Sequence, residues 1–238
     1  MTHFICYNRM FNTIYMDNII YFCFYIYIYE IKFINIYKQP MIKKFVFIGP
    51  ESSGKTTLCK LLSAKYNTLW VQEYCRVAAE EKAKDTLTPC DEINFNFTLN
   101  DFINMAERQN KEEYEYSKKS NKLLICDNDT FALTIWCERY LNQYHTEIYD
   151  IYKNADYLHN NEKIYILTKP NVAFIQDGFR DGEHIRDWMY LRFIEELEFK
   201  KMNYYIIDSP DYEERLQTAI RIIDTQLNIT FPICPYIN

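Results

Sequence analysis

The sequence predicts an α/β domain with a mostly parallel five-stranded sheet. Two observations carry that prediction. From Met41 onward, short apolar runs alternate with longer stretches of helical spacing. A Gly-x-x-x-x-Gly-Lys-Thr turn joins the first apolar run to the first helical stretch, as a loop between a strand and a helix does. With 48% hydrophobic and 25% charged residues in 238, the chain holds enough apolar material for a real core and is not generally disordered. The length suits one domain of ordinary size, or one domain with an appendage.

The elements follow in order. Buried strands are expected at Phe45–Ile48, Leu69–Val71, Leu123–Cys126, Ile164–Leu167 and Tyr204–Ile207. Helical stripes occur at Leu58/Leu61/Leu62, Leu99/Phe102/Ile103/Ala106, Tyr190/Ile194/Leu197 and Leu216/Ala219/Ile220/Ile223/Leu227, and these are core faces. Before the last of them, Ser209-Pro210-Asp211 offers a cap, a first-turn proline and an acid near the positive helix end.

Residues 1–40 differ in composition from the rest, with twelve aromatic and only five charged residues. The apolar stretch from Ile19 to Tyr29 is eleven residues, short of the roughly twenty a membrane-spanning helix needs. Glu30-Ile31-Lys32-Phe33 follows it where a secretory signal would place small residues. Residues 1–40 are therefore expected to be an extension lying outside the native chain, with Met41 as the true start and 41–238 as the domain.

A formal net charge of −6 argues against nucleic acid as the main partner, because phosphate-backbone binding rests on clustered Lys and Arg. No membrane partner is expected either. The eight cysteines form no C-x-x-C pair and no zinc-ligand spacing, and buried reduced thiols in a cytoplasmic protein are the reading they support.

The chemistry concentrates in Gly49-Pro50-Glu51-Ser52-Ser53-Gly54-Lys55-Thr56. A chain wrapped this tightly points successive backbone N–H groups at one phosphate, and the following helix adds its positive N-terminal dipole. Lys55 is placed to reach the β- and γ-phosphates of a nucleotide, and Thr56 to ligate its Mg²⁺. Leu123-Leu124-Ile125-Cys126-Asp127 delivers Asp127 to the sheet's carboxyl edge, where it would hold Mg²⁺ through water, with Asp129 two residues on and facing the acceptor. Glu73 follows the second strand to the same edge, suited to orient or deprotonate a hydroxyl, with Arg76 beside it for an anion or for that carboxylate. Trp70 offers a flat face either to a ligand ring or to the core.

Only four glycines occur in the chain, two in this loop and two, Gly178 and Gly182, flanking Arg180. That second loop, from Gln176 to Arg186, is expected to be a lid bringing Arg180 and Arg186 to the transferring phosphoryl group.

At these residues the chain resembles the nicotinamide riboside kinase domain of bacterial NAD-biosynthesis regulators of the NadR type. The resemblance covers most of 41–235. It rests on Gly49 to Thr57, on Trp70-Val71-Gln72-Glu73-Tyr74-Cys75-Arg76 (similar to W-x-x-E-Y-A-R), on Asp127-Asn128-Asp129 (similar to D-T-D) and on Asp177-Gly178-Phe179-Arg180. Asn128 replaces the usual Thr, and Cys75 a small Ala or Gly. The resemblance implies a three-layer P-loop fold of the nucleoside and nucleotide kinase type with a lid segment. It also implies ATP and Mg²⁺ as cofactors and a small-molecule nucleoside substrate, phosphorylated on its ribose 5′-hydroxyl. By it, Gly49, Pro50, Glu51, Ser52, Ser53, Gly54, Lys55, Thr56 and Thr57 hold the nucleotide, and Trp70, Glu73, Tyr74, Arg76 and Asp129 face the acceptor. Glu73 and Asp129 compete for the hydroxyl-orienting role. No His lies in an H-x-G-H adenylyltransferase motif. The competing readings are a kinase for another nucleoside or nucleotide, and a regulatory nucleotide switch. For the latter, Thr168-Lys169-Pro170-Asn171 approximates the guanine-reading [NT]-K-x-D element, with Asn171 in place of its Asp.

Overall fold

A computed structural model of the protein describes residues 42–86, 96–159, 162–178 and 180–228. The chain divides into two units, Met1–Pro40 and Met41–Asn238. The expected extension, residues 1–40, lies outside the described residues, as does Phe179 of the second glycine loop.

The second unit is a five-stranded sheet in which every pairing is parallel: β1 (Lys43–Ile48), β2 (Trp70–Val71), β3 (Leu123–Asp127), β4 (Lys163–Thr168) and β5 (Tyr204–Ile207), in the order β2-β3-β1-β4-β5. Parallel strands need crossovers, and helices supply them. These are α1 (Lys55–Tyr66), α2 (Tyr74–Thr86), α3 (Leu99–Lys119), α4 (Thr130–Leu141), α5 (Thr146–His159), α6 (Arg186–Phe199) and α7 (Tyr212–Gln226).

Strand alternation sorts the side chains into two cores. Phe45 and Phe47 of β1 pack with Leu58 and Leu62 of α1 and with Ala219 and Ile223 of α7. Val46 and Ile48 face the other way, onto Phe102 of α3, Phe131 of α4 and Phe193 of α6. Three layers result, with the carboxyl ends of β1, β3 and β4 converging on one edge. The register fixes that edge: Phe47 lies level with Asp127, and Ile48 with Leu167.

All five expected strands are present. The helices depart more from expectation. Leu61, counted in the α1 stripe, is 48% exposed, because the buried face runs through Leu58, Cys59 and Leu62. Asp211, and neither Ser209 nor Pro210, caps α7 by accepting from the Glu214 N–H at 2.9 Å. Helix α4 carries no stripe, since Thr130 to Cys137 are all buried. No helix among the described residues is long and apolar enough to cross a membrane.

A charged cluster sits inside the α3–α4 layer. Lys44 and Lys163, neighbours on β1 and β4, turn inward; Lys44 meets Glu113 at 3.1 Å and Lys163 meets Asp129 at 3.0 Å. Tyr165 donates to the same Asp129 oxygen at 2.9 Å. Burial alone would raise the Glu113 pKa, but Lys163 and Lys44 outweigh it and hold the carboxyl below its ordinary value. Removing the carboxylate leaves two buried cations undercompensated. Glu113→Ala should therefore lower unfolding stability by about 3–5 kcal/mol, seen as a lower urea midpoint, and a loss under about 1 kcal/mol would show that the cluster is not a stability element.

Candidate active site

The loop after β1 reverses the chain over Thr168 at the end of β4. Gly49 has φ 141°, and a Cβ there would lie 2.7 Å from the Thr168 carbonyl oxygen, so only glycine fits. Ser53 Oγ donates to Pro50 O at 2.8 Å and pairs with Thr168 Oγ1 at 2.7 Å. Lys55, at the start of α1, folds back and donates to Gly49 O at 2.9 Å and Pro50 O at 2.8 Å.

Thr56 Oγ1 donates to Asp127 Oδ2 at 2.5 Å, joining helix α1 to the end of β3. The other Asp127 oxygen, Oδ1, is buried without a hydrogen-bond partner. Burial raises the Asp127 pKa, while Lys55 and the Thr56 hydrogen bond pull against it. A hydroxyl paired with a carboxylate that has one unsatisfied oxygen is a donor set suited to a hard, oxygen-seeking cation.

Glu73 stands across from this pair and lines the same cavity of about 410 Å³ with Lys55, Thr56 and Asp127. Asn128 Nδ2 donates to Glu73 Oε1 at 2.5 Å, and the Asn128 backbone N–H donates to Phe47 O at 2.9 Å. Asn128 adopts φ 61°, a left-handed conformation that Asn tolerates and a β-branched Thr resists. Burial pushes the Glu73 pKa up to about 7; Lys55 and the Asn128 hydrogen bond oppose the shift, and Asp127 and Glu51 add to it.

Around the second glycine loop, Glu51 works as a joint. Its Oε1 accepts from Arg139 Nη1 at 2.7 Å and its Oε2 from the Gly182 N–H at 3.0 Å, while Arg139 Nη2 also pairs with Asp181. A Cβ on Gly182 would fall 2.8 Å from Arg139 Nη2, so a side chain there would have to displace the guanidinium. Arg180 lines the cavity and is held by Asp177 at 3.3 Å and Ile175 O at 2.6 Å. Arg76 also lines the cavity, bound to Asp177 at 2.7 Å and Glu80 at 3.1 Å.

Four expected site residues lie elsewhere. Asp129 is fully buried; it caps α4 by accepting from the Ala132 N–H at 3.1 Å and takes Lys163 and Tyr165 on its other oxygen, so it has no face toward an acceptor. Arg186 is buried beneath the loop and donates to Ser52 O and Val172 O, both at 3.1 Å, bracing the loop from below. Tyr74 is buried, with its hydroxyl on Glu81 at 3.2 Å and Arg108 over its ring. Trp70 points to the α1–α7 core, with Lys60 Nζ 5.8 Å from its ring centre, because strand alternation sends its neighbour Val71 to the opposite layer. The cavity's aromatic wall is instead Phe97, Trp136 and Tyr140. Trp136 and Tyr140 come from α4, where an all-round apolar sequence gave no stripe to single them out. Arg139, the sole basic residue of that helix, was the one available signal.

The raised Glu73 pKa has a measurable consequence. A carboxyl at about 7 when folded and about 4.3 when unfolded stabilises the fold below pH 4, and that contribution is lost as pH rises through 7. Stability measured by urea unfolding across pH 4 to 8 should fall over this window, and Glu73→Gln should flatten the slope; an unchanged slope would show that Glu73 titrates normally.

Residues 44–215 match the family described as AAA domain. The trifunctional NAD biosynthesis/regulator protein NadR of Escherichia coli (strain K12) is 23% identical over 189 residues, covering 78% of this chain and 43% of that protein. The chain thus spans less than half the length of that relative. Among solved structures, NadR protein in complex with NAD and AMP-PNP superposes with a TM-score of 0.57 at 16% identity, over 82% of this chain and 52% of that one. NadR protein in complex with NR gives the same TM-score at 17% identity and the same coverage. Thymidylate kinase from Ehrlichia chaffeensis gives 0.54 at 15% identity, over 77% of this chain and 100% of that one. The architecture is that of the P-loop kinases. Because the match spans well over half of its residues, the chain belongs to the AAA domain family.

Proposed function

We propose that the protein is an ATP-dependent kinase that transfers the γ-phosphoryl group to the ribose 5′-hydroxyl of nicotinamide riboside, giving nicotinamide mononucleotide. One observation carries the reading: in a single cavity the phosphate-binding residues Lys55 and Thr56 meet the carboxylates of Asp127 and Glu73. Phosphoryl transfer asks a protein mainly for positioning and charge neutralisation, and this cavity holds groups for both.

In this scheme the backbone of residues 49–57 cradles the phosphates of ATP, and Lys55 exchanges the Gly49 and Pro50 carbonyls for phosphate oxygens. Mg²⁺, when bound with the nucleotide, neutralises developing charge between the phosphates. Thr56 and the unpartnered Asp127 Oδ1 are the residues fitted to hold it. Glu73, poised near neutrality and steadied by Asn128, accepts the proton of the attacking hydroxyl. Arg180 supplies positive charge at the cavity wall, and Phe97, Trp136 and Tyr140 offer flat faces to the acceptor's ring.

The NadR structures with NR and with an ATP analogue support the choice of both substrates. The thymidylate kinase likeness keeps other nucleosides and nucleotides as the alternative acceptors. A GTP-reading switch is less well supported, because Asn171 already donates to Asp208 O at 2.7 Å and accepts from Arg215 at 2.9 Å. The four free cysteines among the described residues suit a cytoplasmic enzyme.

Mass spectrometry of products from protein incubated with Mg-ATP and nicotinamide riboside, beside a panel of ordinary nucleosides, tests the proposal. Nicotinamide mononucleotide should form, and Lys55→Ala should abolish it. Glu73→Gln should lower kcat by about 100-fold or more, whereas Asp129→Asn should act through stability. A different nucleoside phosphorylated in its place would overturn the acceptor assignment, and ATP hydrolysis with no phosphorylated acceptor would favour the switch reading.

A further inference from the structure

Two arginines lie buried under the phosphate-binding loop, Arg186 at the start of α6 and Arg215 in the first turn of α7. Arg215 is 0% exposed. Its Nη1 donates to Ser209 O at 2.7 Å and Asn171 Oδ1 at 2.9 Å, and its Nη2 to Ser53 O at 2.8 Å and Lys169 O at 3.1 Å. Arg186 Nη2 donates to Ser52 O and Val172 O. Every one of these acceptors is neutral, and the Nε of each arginine is buried without a partner.

That sets them apart from Lys44, Lys163 and Arg139, though not from Lys55, which is also buried and donates only to the Gly49 and Pro50 carbonyls. Lys44 pairs with Glu113, Lys163 with Asp129 and Glu113, and Arg139 with Glu51 and Asp181. Among the described residues, neither Arg186 nor Arg215 has a carboxylate at ion-pair distance. Burial draws the pKa of each below the ordinary guanidinium value, with Arg186 adding to the shift at Arg215 and Arg180 to that at Arg186; Tyr212 and Asp208 offset it at Arg215, and Glu183 and Asp187 at Arg186. Two buried, unpaired charges are costly unless something balances them.

The bonding pattern indicates what does. Arg186 holds the Ser52 carbonyl and Arg215 the Ser53 carbonyl, consecutive groups of the loop. In a trans peptide the C=O and N–H point in opposite directions, so fixing these two carbonyls downward turns the N–H groups of Ser53 and Gly54 the other way. Ser53 and Gly54 line the cavity.

We infer that Arg186 and Arg215 are a cationic floor to the loop: positioning residues that aim its amide donors at a polyphosphate and whose charge that polyphosphate balances. This rests on the reading that the loop binds phosphate. Neither arginine needs to touch the ligand. A floor that served only to hold the loop's shape would act through hydrogen bonds and be indifferent to charge.

The test is calorimetric binding of inorganic tripolyphosphate to the full chain at fixed ionic strength, comparing wild type with Arg215→Lys and Arg215→Gln. Lys keeps the charge and loses most of the loop bonds; Gln keeps a donor and loses the charge. Arg215→Gln should weaken tripolyphosphate about tenfold, with Arg215→Lys within about threefold of wild type. The rise in melting temperature on adding tripolyphosphate should shrink in parallel for Gln. Equal losses in both variants, or an unchanged Kd in Arg215→Gln despite a lower melting temperature, would overturn the inference. Arg186→Lys against Arg186→Gln repeats the comparison at the second site should Arg215→Gln fail to fold. Wild type that does not bind tripolyphosphate would instead overturn the phosphate-loop reading beneath it.

Discussion

The closeness with which the loop after β1 sits on the end of β4 is the constraint from which the site follows. Gly49 packs against the Thr168 carbonyl where no side chain fits, and Ser53 closes the turn onto Pro50 and Thr168. That approach exists because β1 and β4 pair in parallel with Ile48 level with Leu167. With the loop seated, Lys55 and Thr56 start α1 facing the end of β3, and the short Thr56–Asp127 hydrogen bond becomes possible. The position of each acid is then a matter of which strand it ends and how far that strand runs.

The framework was legible in the sequence because buried parallel strands are continuous apolar runs too short to be helices, set between stretches of helical spacing. Phe45 to Ile48 and Leu123 to Asp127 declare their conformation, and the residues that end them lie at the sheet's carboxyl edge. The phosphate loop was legible for a related reason: its glycines and Lys-Thr pair are demanded by backbone geometry and by charge. Helix α4 was opaque, since burial on all sides erases the periodicity that marks a face. The aromatic wall it contributes was lost with it.

Asp129 and Trp70 show where local pattern misleads. Two acids separated by one residue suggest a shared task, but Asn128 in a left-handed turn rotates the chain between them. Asp127 is left at the cavity and Asp129 is turned to the interior, where a helix N-terminus, a lysine and a tyrosine occupy both of its oxygens. Asn128, which departs from the family pattern, earns its place by steadying Glu73. Trp70 went to the core because a two-residue strand offers each face one side chain, and Val71 had the other.

The Glu51 joint has a consequence for how such a chain changes over generations. One carboxylate serves a helix through Arg139 and a loop through the Gly182 amide, and a side chain at 182 would have to displace the Arg139 guanidinium. Loss of Arg139 leaves the mostly buried Glu51 carboxylate with only the Gly182 amide, loss of Glu51 leaves Arg139 with Asp181 as its remaining carboxylate partner, and a side chain at residue 182 pushes against both. Positions 51, 139 and 182, far apart in the chain, are thereby bound into one inheritance: descendants of this sequence can replace the three together, while single steps away from any of them meet the cost of the other two.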